Sequence, residues 1–140
     1  MRVFLDTNIL FDVLEQRQPH HHEANDVMER CTLHQWPAFM AWHSLATAFY
    51  VLSRKIGEFK AQTALEELIH IITVAYTGQN EAAHAFTLGF TDLEDALQSV
   101  AAEACSADCI VTRNETDFVR SPIPVLSPTE FLARFPVNAA

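Results

Sequence analysis

The stretch Phe4-Leu5-Asp6-Thr7-Asn8-Ile9-Leu10 decides the fold that this sequence predicts. Residues 2–5 have the character of a short buried strand, and apolar residues from Ile9 onwards recur at a helical spacing. Asp6 stands at the junction, where it could cap the helix or face a ligand at the carboxyl edge of a parallel sheet. Both roles fit this stretch equally well, so the choice depends on whether other acids reach the same edge.

The composition is that of an ordinary globular domain. The chain has 140 residues, of which 49% are hydrophobic and 19% charged, which is enough for one well-filled core. We expect a single domain over residues 1–136 and a loose tail over 137–140. Neither a signal-like segment nor an apolar run of membrane length is present, which predicts a cytoplasmic protein.

Charge and cysteine content narrow the functional classes. The net charge of −9 argues against a broad basic groove for nucleic acid. It is compatible with a nuclease whose acids are neutralised by divalent cations, and with a protein that docks a basic partner peptide. Three cysteines are an odd number, which argues against a disulfide framework and favours packing in the core.

Strand-like and helical patterns alternate along the chain. Short apolar segments that fit strands lie at 2–5, 37–41, 71–75, 109–112 and 123–126. Helical patterns fill most of the chain between them, which predicts an α/β protein. The expected architecture is a three-layer α/β/α sandwich with a mainly parallel central sheet. Prolines flank the last segment, which places that strand at an edge.

Acidic residues recur where predicted strands end and helices begin. Asp6 follows the first strand, Asp117 follows the fourth, and Asp92, Glu94 and Asp95 open a late helix. Asp92 and Asp95 are three residues apart and share a helix face, so they are the preferred pair, with Glu94 in reserve. The alternative is that first-turn acids only complement the helix dipole. That alternative does not account for Asp6 and Asp117.

Carboxylates that converge on one edge predict a particular chemistry. They repel one another unless a cation neutralises them. Oxygen ligands without Cys or His favour Mg²⁺ or Mn²⁺ over zinc or copper. Such ions lower the pKa of an attacking water and neutralise charge on a leaving oxygen. Metal-dependent phosphodiester hydrolysis is the reaction class that follows.

Three segments in this order resemble a known family. They are the N-terminal stretch quoted above, Asp92-Leu-Glu-Asp95-Ala-Leu-Gln98 and Val111-Thr-Arg-Asn-Glu-Thr-Asp117-Phe118, and the likeness extends to Pro124–Phe131. Together they resemble PIN domains, which are α/β/α sandwiches with a Mg²⁺ or Mn²⁺ site of clustered acids. Many are ribonucleases, and many short bacterial ones are VapC-like toxins. The resemblance therefore implies a metal-dependent endoribonuclease, the toxin of a type II toxin–antitoxin pair, with RNA as substrate, an antitoxin as partner and a homodimeric state.

The same resemblance implies roles for individual residues. Asp6, Asp95 and Asp117 would be the metal ligands, and Asp92 would be a fourth catalytic acid. The polar neighbours that would orient ligands or water are Asn8, Thr112 and Asn114. Arg113 is the best candidate to bind a substrate phosphate, because arginine can do so with two parallel hydrogen bonds. The alternative for Arg113 is a surface arginine without a partner.

Two positions depart from the common pattern of the family. Thr47 stands where many VapC-like proteins carry Glu, and Asn114 stands where many carry Asp. Both are similar to one PIN subgroup, so we expect a rearranged site. The alternative is a weak or inactive PIN-fold module that binds RNA or protein. Phosphoryl transfer through Asp6 is disfavoured, because Asn8 replaces the second Asp of haloacid dehalogenase-like phosphatases.

Overall fold

Five parallel strands form the centre of the protein, which a computed structural model describes for residues 1–138. The strands are β1 (Val3–Leu5), β2 (Ala38–Met40), β3 (Thr73–Val74), β4 (Cys109–Val111) and β5 (Val125–Leu126). Their order in the sheet is β3-β2-β1-β4-β5, and every neighbouring pair is parallel. The predicted parallel sheet is confirmed, and β5 lies at an edge as its flanking prolines predicted.

Helices connect these strands, as the alternating pattern of the sequence predicted. They are α1 (Thr7–Leu14), α2 (His21–Leu33), α3 (Trp42–Ile56), α4 (Glu58–Ile69), α5 (Gln79–Ala85), α6 (Leu93–Ala104) and α7 (Pro128–Arg134). A short 3₁₀ helix at Glu115–Phe118 was not predicted. Gly57 joins α3 to α4 with φ +87°, a conformation that side chains larger than glycine rarely adopt.

The central strand β1 shows how the core is divided between the two faces of the sheet. Val3 and Leu5 belong to the cluster that packs against α1 to α4 and α7, whereas Phe4 belongs to the cluster beneath α6. All three side chains are fully buried. A strand buried on both faces is typical of a parallel sheet covered by helices. The predicted three-layer sandwich is thereby confirmed.

The order of the strands reverses beside β1. The chain passes from β1 to β2 and β3 on one side, and β4 and β5 then lie on the other side. Open α/β sheets bind ligands in the crevice at such a switch point, outside the carboxyl ends of the strands. Asp6 directly follows β1, and Thr112 directly follows β4. The topology therefore brings these two residues to the expected crevice.

Three further expectations bear on the chain as a whole. The three cysteines are buried thiols that form no disulfide, which agrees with a packing role. In residues 1–138 we find no helix that is both long enough and apolar enough to span a membrane. The loose tail predicted for 137–140 falls in part on residues 139 and 140, which lie outside the described residues.

Candidate active site

Asp6 lies at the carboxyl end of β1 with only 4% of its surface exposed. It is the N-cap residue of α1, and its backbone carbonyl accepts the Ile9 N–H at 3.0 Å, but its side chain makes no capping hydrogen bond. Instead, Oδ2 accepts the Thr112 hydroxyl at 2.6 Å and Oδ1 accepts the Gln98 amide at 2.6 Å. The carboxylate therefore faces the switch point and does not cap the helix.

Gln98 links Asp6 to α6. Its side chain is fully buried, and its Nε2 also donates to Glu94 Oε1 at 2.9 Å and Oε2 at 3.1 Å. Its Oε1 accepts the backbone N–H of Thr7 at 3.1 Å. We did not predict Gln98 as a site residue. A long polar side chain within the apolar stripe of α6, one turn after Glu94, was the available signal.

Glu94 and Asp92 have roles that differ from the sequence prediction. Asp92 Oδ1 accepts the Glu94 N–H at 2.8 Å, so Asp92, the preferred partner of Asp95, caps α6. Its backbone is extended, and the helical projection that paired it with Asp95 does not apply outside the helix. Glu94, the reserve acid, reaches the same Gln98 amide as Asp6. Glu94 is therefore a candidate ligand beside Asp6.

Two contacts with α1 and α3 hold Glu94 in place. Thr7 Oγ1 donates to Glu94 Oε1 at 3.4 Å, and His43 Nε2 lies 3.3 Å from the same oxygen. Burial alone would raise the pKa of Glu94, but hydrogen bonds from His43 and Gln98, the electrostatic attraction to His43 and a hydrogen bond with Asp95 together lower that pKa. Glu94 is therefore held as an anion beside Asp6. His43 is a second site residue that the sequence prediction missed.

Asp95 lies close to other carboxylates, and its pKa is raised. Burial, followed by repulsion from Glu94, Asp92 and Asp6, raises the pKa of its carboxyl to about 7. Burial likewise raises the pKa of Asp6, although hydrogen bonds from Thr112 and Gln98 partly offset that effect. A site in which carboxylates raise each other's pKa favours a bound proton or a bound cation.

Asp117 is an exposed residue of the 3₁₀ helix that follows β4. It shares a cavity of about 410 Å³ with Asp92, Asp95 and Arg120. The remaining lining residues are Gly89, Phe90, Thr91, Thr116 and Val119. The cavity thus joins three of the four predicted acids, while Asp6 is not among its lining residues and is hydrogen-bonded to Gln98 and Thr112.

Two of the predicted polar neighbours, Asn8 and Asn114, both contact the third, Thr112. Its hydroxyl donates to Asp6 and accepts the backbone N–H of Asn114 at 3.0 Å, and the Asn8 amide nitrogen lies 3.5 Å from it. Asn114 thus acts through its backbone, while its side chain is exposed. The Oδ1 atom of Asn8 is buried and has no hydrogen-bond partner among the described residues. It is an acceptor available to water or to a cation.

Arg113 and Thr47 are not brought to the acids. Arg113 donates from Nε and Nη2 to the two carboxylate oxygens of Asp12, at 2.6 and 3.1 Å. Asp12 is completely buried and was not singled out in the sequence. Thr47 is exposed, and its hydroxyl donates to the backbone carbonyl of His43. The α3 side chain that contacts an acid of the site is therefore His43.

The chemistry of these donors fits a small divalent cation. Asp6, Glu94 and Asp95 supply oxygen atoms, their mutual repulsion would be relieved by positive charge, and the Asn8 carbonyl oxygen lacks a partner. In residues 1–138 no three His, Cys, Asp or Glu side chains already enclose an ion-sized site. The amide of Gln98, which donates to both Asp6 and Glu94, separates those two carboxylates.

Comparison with known proteins identifies the family. The chain is 29% identical to "Ribonuclease VapC1" of Aquifex aeolicus (strain VF5), over 96% of this chain and 95% of that one. Its fold is similar to that of DNA-bound VapBC from Salmonella typhimurium, with a TM-score of 0.71, 18% identity, and 91% and 98% of the two chains covered. It is also similar to VapC20, a sarcin–ricin loop cleaving toxin from Mycobacterium tuberculosis, with a TM-score of 0.59, 16% identity, and 77% and 86% covered.

A family model described as PIN domain matches residues 2–116, which is most of the chain. The matched residues include Asp6, Glu94, Asp95 and Gln98, together with the polar neighbours around Thr112. The resemblance seen in the sequence motifs is confirmed: the chain belongs to the PIN domain family.

Proposed function

We propose that this protein is a metal-dependent endoribonuclease that hydrolyses phosphodiester bonds of RNA. The observation that carries the proposal is the group of Asp6, Glu94 and Asp95 at the switch point of the sheet. Within residues 1–138, the salt bridges of arginine and lysine go to other acids, and only His43 lies within salt-bridge distance of the group, at Glu94. Acids that repel one another in a crevice, here with Asp6 buried and Glu94 and Asp95 partly exposed, mark a functional site more often than a structural one. The similarity to a protein named ribonuclease VapC1 supports the same reaction.

The side chains of the site have two roles, which are to bind the cation and to orient its ligands. Asp6, Glu94 and Asp95 would hold Mg²⁺ or Mn²⁺, with Asp117 and Asp92 close enough through the shared cavity to add contacts. When bound, such an ion supplies a nucleophilic water and neutralises charge on the leaving oxygen. Thr112 and Gln98 orient Asp6, and His43 orients Glu94.

Two arginines are candidates for binding the RNA backbone. Arg120 lines the cavity beside Asp95 and Asp117, where a phosphate would lie next to the ion. Arg113, which we predicted from the sequence, contacts Asp12 through Nε and Nη2 and could bind phosphate only through its other N–H groups. We therefore propose Arg120 as the principal contact and Arg113 as a secondary one.

Exposed aromatic side chains at the same edge favour unpaired RNA as the substrate. Trp42 is 68% exposed and Tyr76 is 96% exposed, and both line a cavity of about 330 Å³ beyond the ends of β2 and β3. These strands lie about 5 and 10 Å from β1, because neighbouring strands are about 5 Å apart. Aromatic rings at that distance can stack the bases of unpaired nucleotides flanking the cleaved bond.

We further propose that the protein is the toxin of a type II toxin–antitoxin pair, present in the cytoplasm and inhibited by an antitoxin. The support is fold similarity to complexes that include a toxin–antitoxin complex from Klebsiella pneumoniae, with a TM-score of 0.67 and 22% identity. Free buried thiols suit a reducing compartment. We also propose a homodimer, which light scattering of the purified protein tests. A monomer at every concentration would contradict it.

The nuclease proposal is tested with purified protein, single-stranded RNA, and Mg²⁺ or Mn²⁺. We expect Asp6→Asn and Asp95→Asn each to reduce cleavage about 1,000-fold or more, because several kcal/mol of charge stabilisation would be lost. Asp26→Asn, at an exposed position on α2, is the matched control and should cleave normally. EDTA should abolish activity. Cleavage that survives both site substitutions, or that persists in EDTA, would refute the assignment.

The alternative is a PIN-fold module that binds RNA or protein without cleaving it. It is favoured by Thr47, since α3 presents an exposed threonine where many relatives carry a carboxylate. Calorimetry distinguishes the two proposals: we expect Mn²⁺ to bind the wild-type protein and to bind Asp6→Asn much more weakly. A wild-type protein that binds RNA but does not bind Mn²⁺ at millimolar concentration would favour the binding module.

A further inference from the structure

We propose that Gln98 is a positioning residue, which sets the separation and orientation of Asp6 and Glu94 for a divalent cation. The inference rests on the proposed metal-dependent function but concerns a residue to which neither the sequence motifs nor the relatives assign a role. Gln98 is completely buried, and each of its polar atoms is bonded to a residue of the site. It does not contact the cavity in which we place the substrate.

The orientation of the Gln98 amide is determined by its partners. Its oxygen accepts the backbone N–H of Thr7, which can only donate. Its nitrogen lies 2.6 Å from Asp6 Oδ1, and 2.9 and 3.1 Å from the two oxygens of Glu94. Rotating the amide by 180° would place oxygen against oxygen at Asp6 and Glu94. The NH₂ group therefore points at both carboxylates and can give each of them one N–H.

No other side chain of similar size would hold both carboxylates in place and leave their charge unchanged. Leucine would leave the Thr7 N–H and one oxygen of Asp6 without partners in a buried position. Glutamate would add a third carboxylate to the pair. Lysine would neutralise the site permanently and compete with a divalent ion. A neutral donor holds both carboxylates in place and leaves their negative charge available.

The carboxylates retain free acceptor positions while Gln98 holds them. A carboxylate has about four lone-pair positions, and Asp6 uses two of them, for Gln98 and Thr112. A cation could therefore bind the outer lone pairs without displacing the amide. Contacts of this kind orient metal ligands from behind, and their loss typically weakens metal affinity about 10- to 100-fold.

The experiment measures Mn²⁺ binding by calorimetry in the wild type, Gln98→Leu and Ser99→Ala. Ser99 is the matched control, because it is the next residue on α6, is equally buried, and donates to Ser121, away from the acids. We expect the Kd for Mn²⁺ to rise about 10- to 100-fold in Gln98→Leu and to stay unchanged in Ser99→Ala. Both variants should lose some thermal stability, so stability alone does not distinguish a positioning role.

Two further measurements keep the test decisive. Gln98→Asn retains the amide but is one methylene shorter, so it cannot span Asp6, Glu94 and Thr7; it should show the same weakened binding if Gln98→Leu does not fold. RNA cleavage by either variant should recover when Mn²⁺ is raised by the factor lost in affinity. An unchanged Kd in the folded variants would overturn the role of Gln98 alone. Wild-type protein that binds Mn²⁺ but cleaves no RNA would overturn the nuclease proposal alone, and wild-type protein that binds no Mn²⁺ would overturn both.

Discussion

Two buried carboxylates lie six residues apart in the sequence, and their hydrogen-bond partners differ in charge. Asp12 is completely buried on α1 and is held by two hydrogen bonds from the Arg113 guanidinium. Asp6 is almost as deeply buried at the end of β1, but its hydrogen-bond partners are the neutral side chains of Thr112 and Gln98. One carboxylate has a counter-charge within the chain, and the other has further carboxylates nearby.

The difference shows which property of a buried acid indicates a site. Taking a charge out of water is costly wherever it occurs, and an ion pair offsets much of that cost. Asp12 and Arg113 form such a pair, which joins α1 to the loop after β4. Around Asp6 the hydrogen bonds from Thr112 and Gln98 offset the cost only in part, so the pKa of Asp6 and of Asp95 is raised by burial and repulsion. Burial alone is common to both positions, and only the missing counter-charge marks the site.

The largest effect on stability should come from breaking the neutralised pair. Asp12→Asn leaves the Arg113 guanidinium, which is 25% exposed, without its counter-charge, and we expect a loss of about 3–5 kcal/mol of unfolding free energy. Asp6→Asn removes a charge that the fold does not compensate, so stability should stay the same or increase. Urea unfolding of both variants without divalent ions measures the contrast, which would be lost if both variants were equally destabilised.

A double substitution separates folding from substrate binding at the same pair. Asp12→Leu combined with Arg113→Met should recover most of the stability, because apolar residues can replace a buried ion pair at little cost. If Arg113 serves the fold alone, this variant should cleave RNA with an unchanged KM. A rise in KM would instead support the phosphate-binding role predicted for Arg113 from the sequence.

The sequence revealed the uncompensated site more readily than the neutralised pair, for a physical reason. Strand and helix periodicity placed Asp6 and Asp95 at element ends, and parallel strands bring their carboxyl ends to one edge. Whether an acid has a counter-charge depends on contacts between distant segments. Arg113 lies 101 residues from Asp12, and no local pattern indicates that these two meet.

The same limit explains the errors at α6 and α3. Gln98 and His43 act through contacts with residues 92 and 51 positions away, and periodicity alone marks Gln98 as one polar residue in an apolar stripe. Asp92 caps the helix and does not lie on its face, because the helix begins one residue later than predicted. A shift of one residue changes which side chain caps the helix and which faces the crevice.

The pH dependence of stability should differ between the wild type and Asp95→Asn, by less than the effect of Asp12→Asn. The Asp95 carboxyl has an ordinary pKa of 3.8, which the fold raises to about 7, so the folded chain binds this proton more tightly. Its contribution to stability is therefore greatest at low pH and is lost as the pH rises through about 7. Without divalent ions, Asp95→Asn should gain stability over the wild type as the pH is raised from 5 to 8.

Thermal unfolding in EDTA at several pH values measures this difference. Using the difference between the two proteins removes the contributions of titrating groups that do not interact with Asp95. Mn²⁺ at pH 8 should stabilise the wild type and reduce the advantage of Asp95→Asn, because the cation supplies the missing counter-charge. A difference that does not vary with pH would show that folding does not raise the pKa of Asp95.

The smallest effect should come from replacing Trp42, whose ring lies at the same edge of the sheet as Asp6. Loss of one stacked base costs about 1–3 kcal/mol, so Trp42→Ala should raise the KM for single-stranded RNA about 10-fold with kcat unchanged. Phe59→Ala is the control: Phe59 is 84% exposed, and it lies in the first turn of α4, beyond the 15 residues of α3, which span about 22 Å. Equal effects in the two variants would mean that exposed aromatic residues bind RNA without regard to the acids. An effect confined to Trp42 would mean that the edge that lacks a counter-charge is also the edge that receives the substrate.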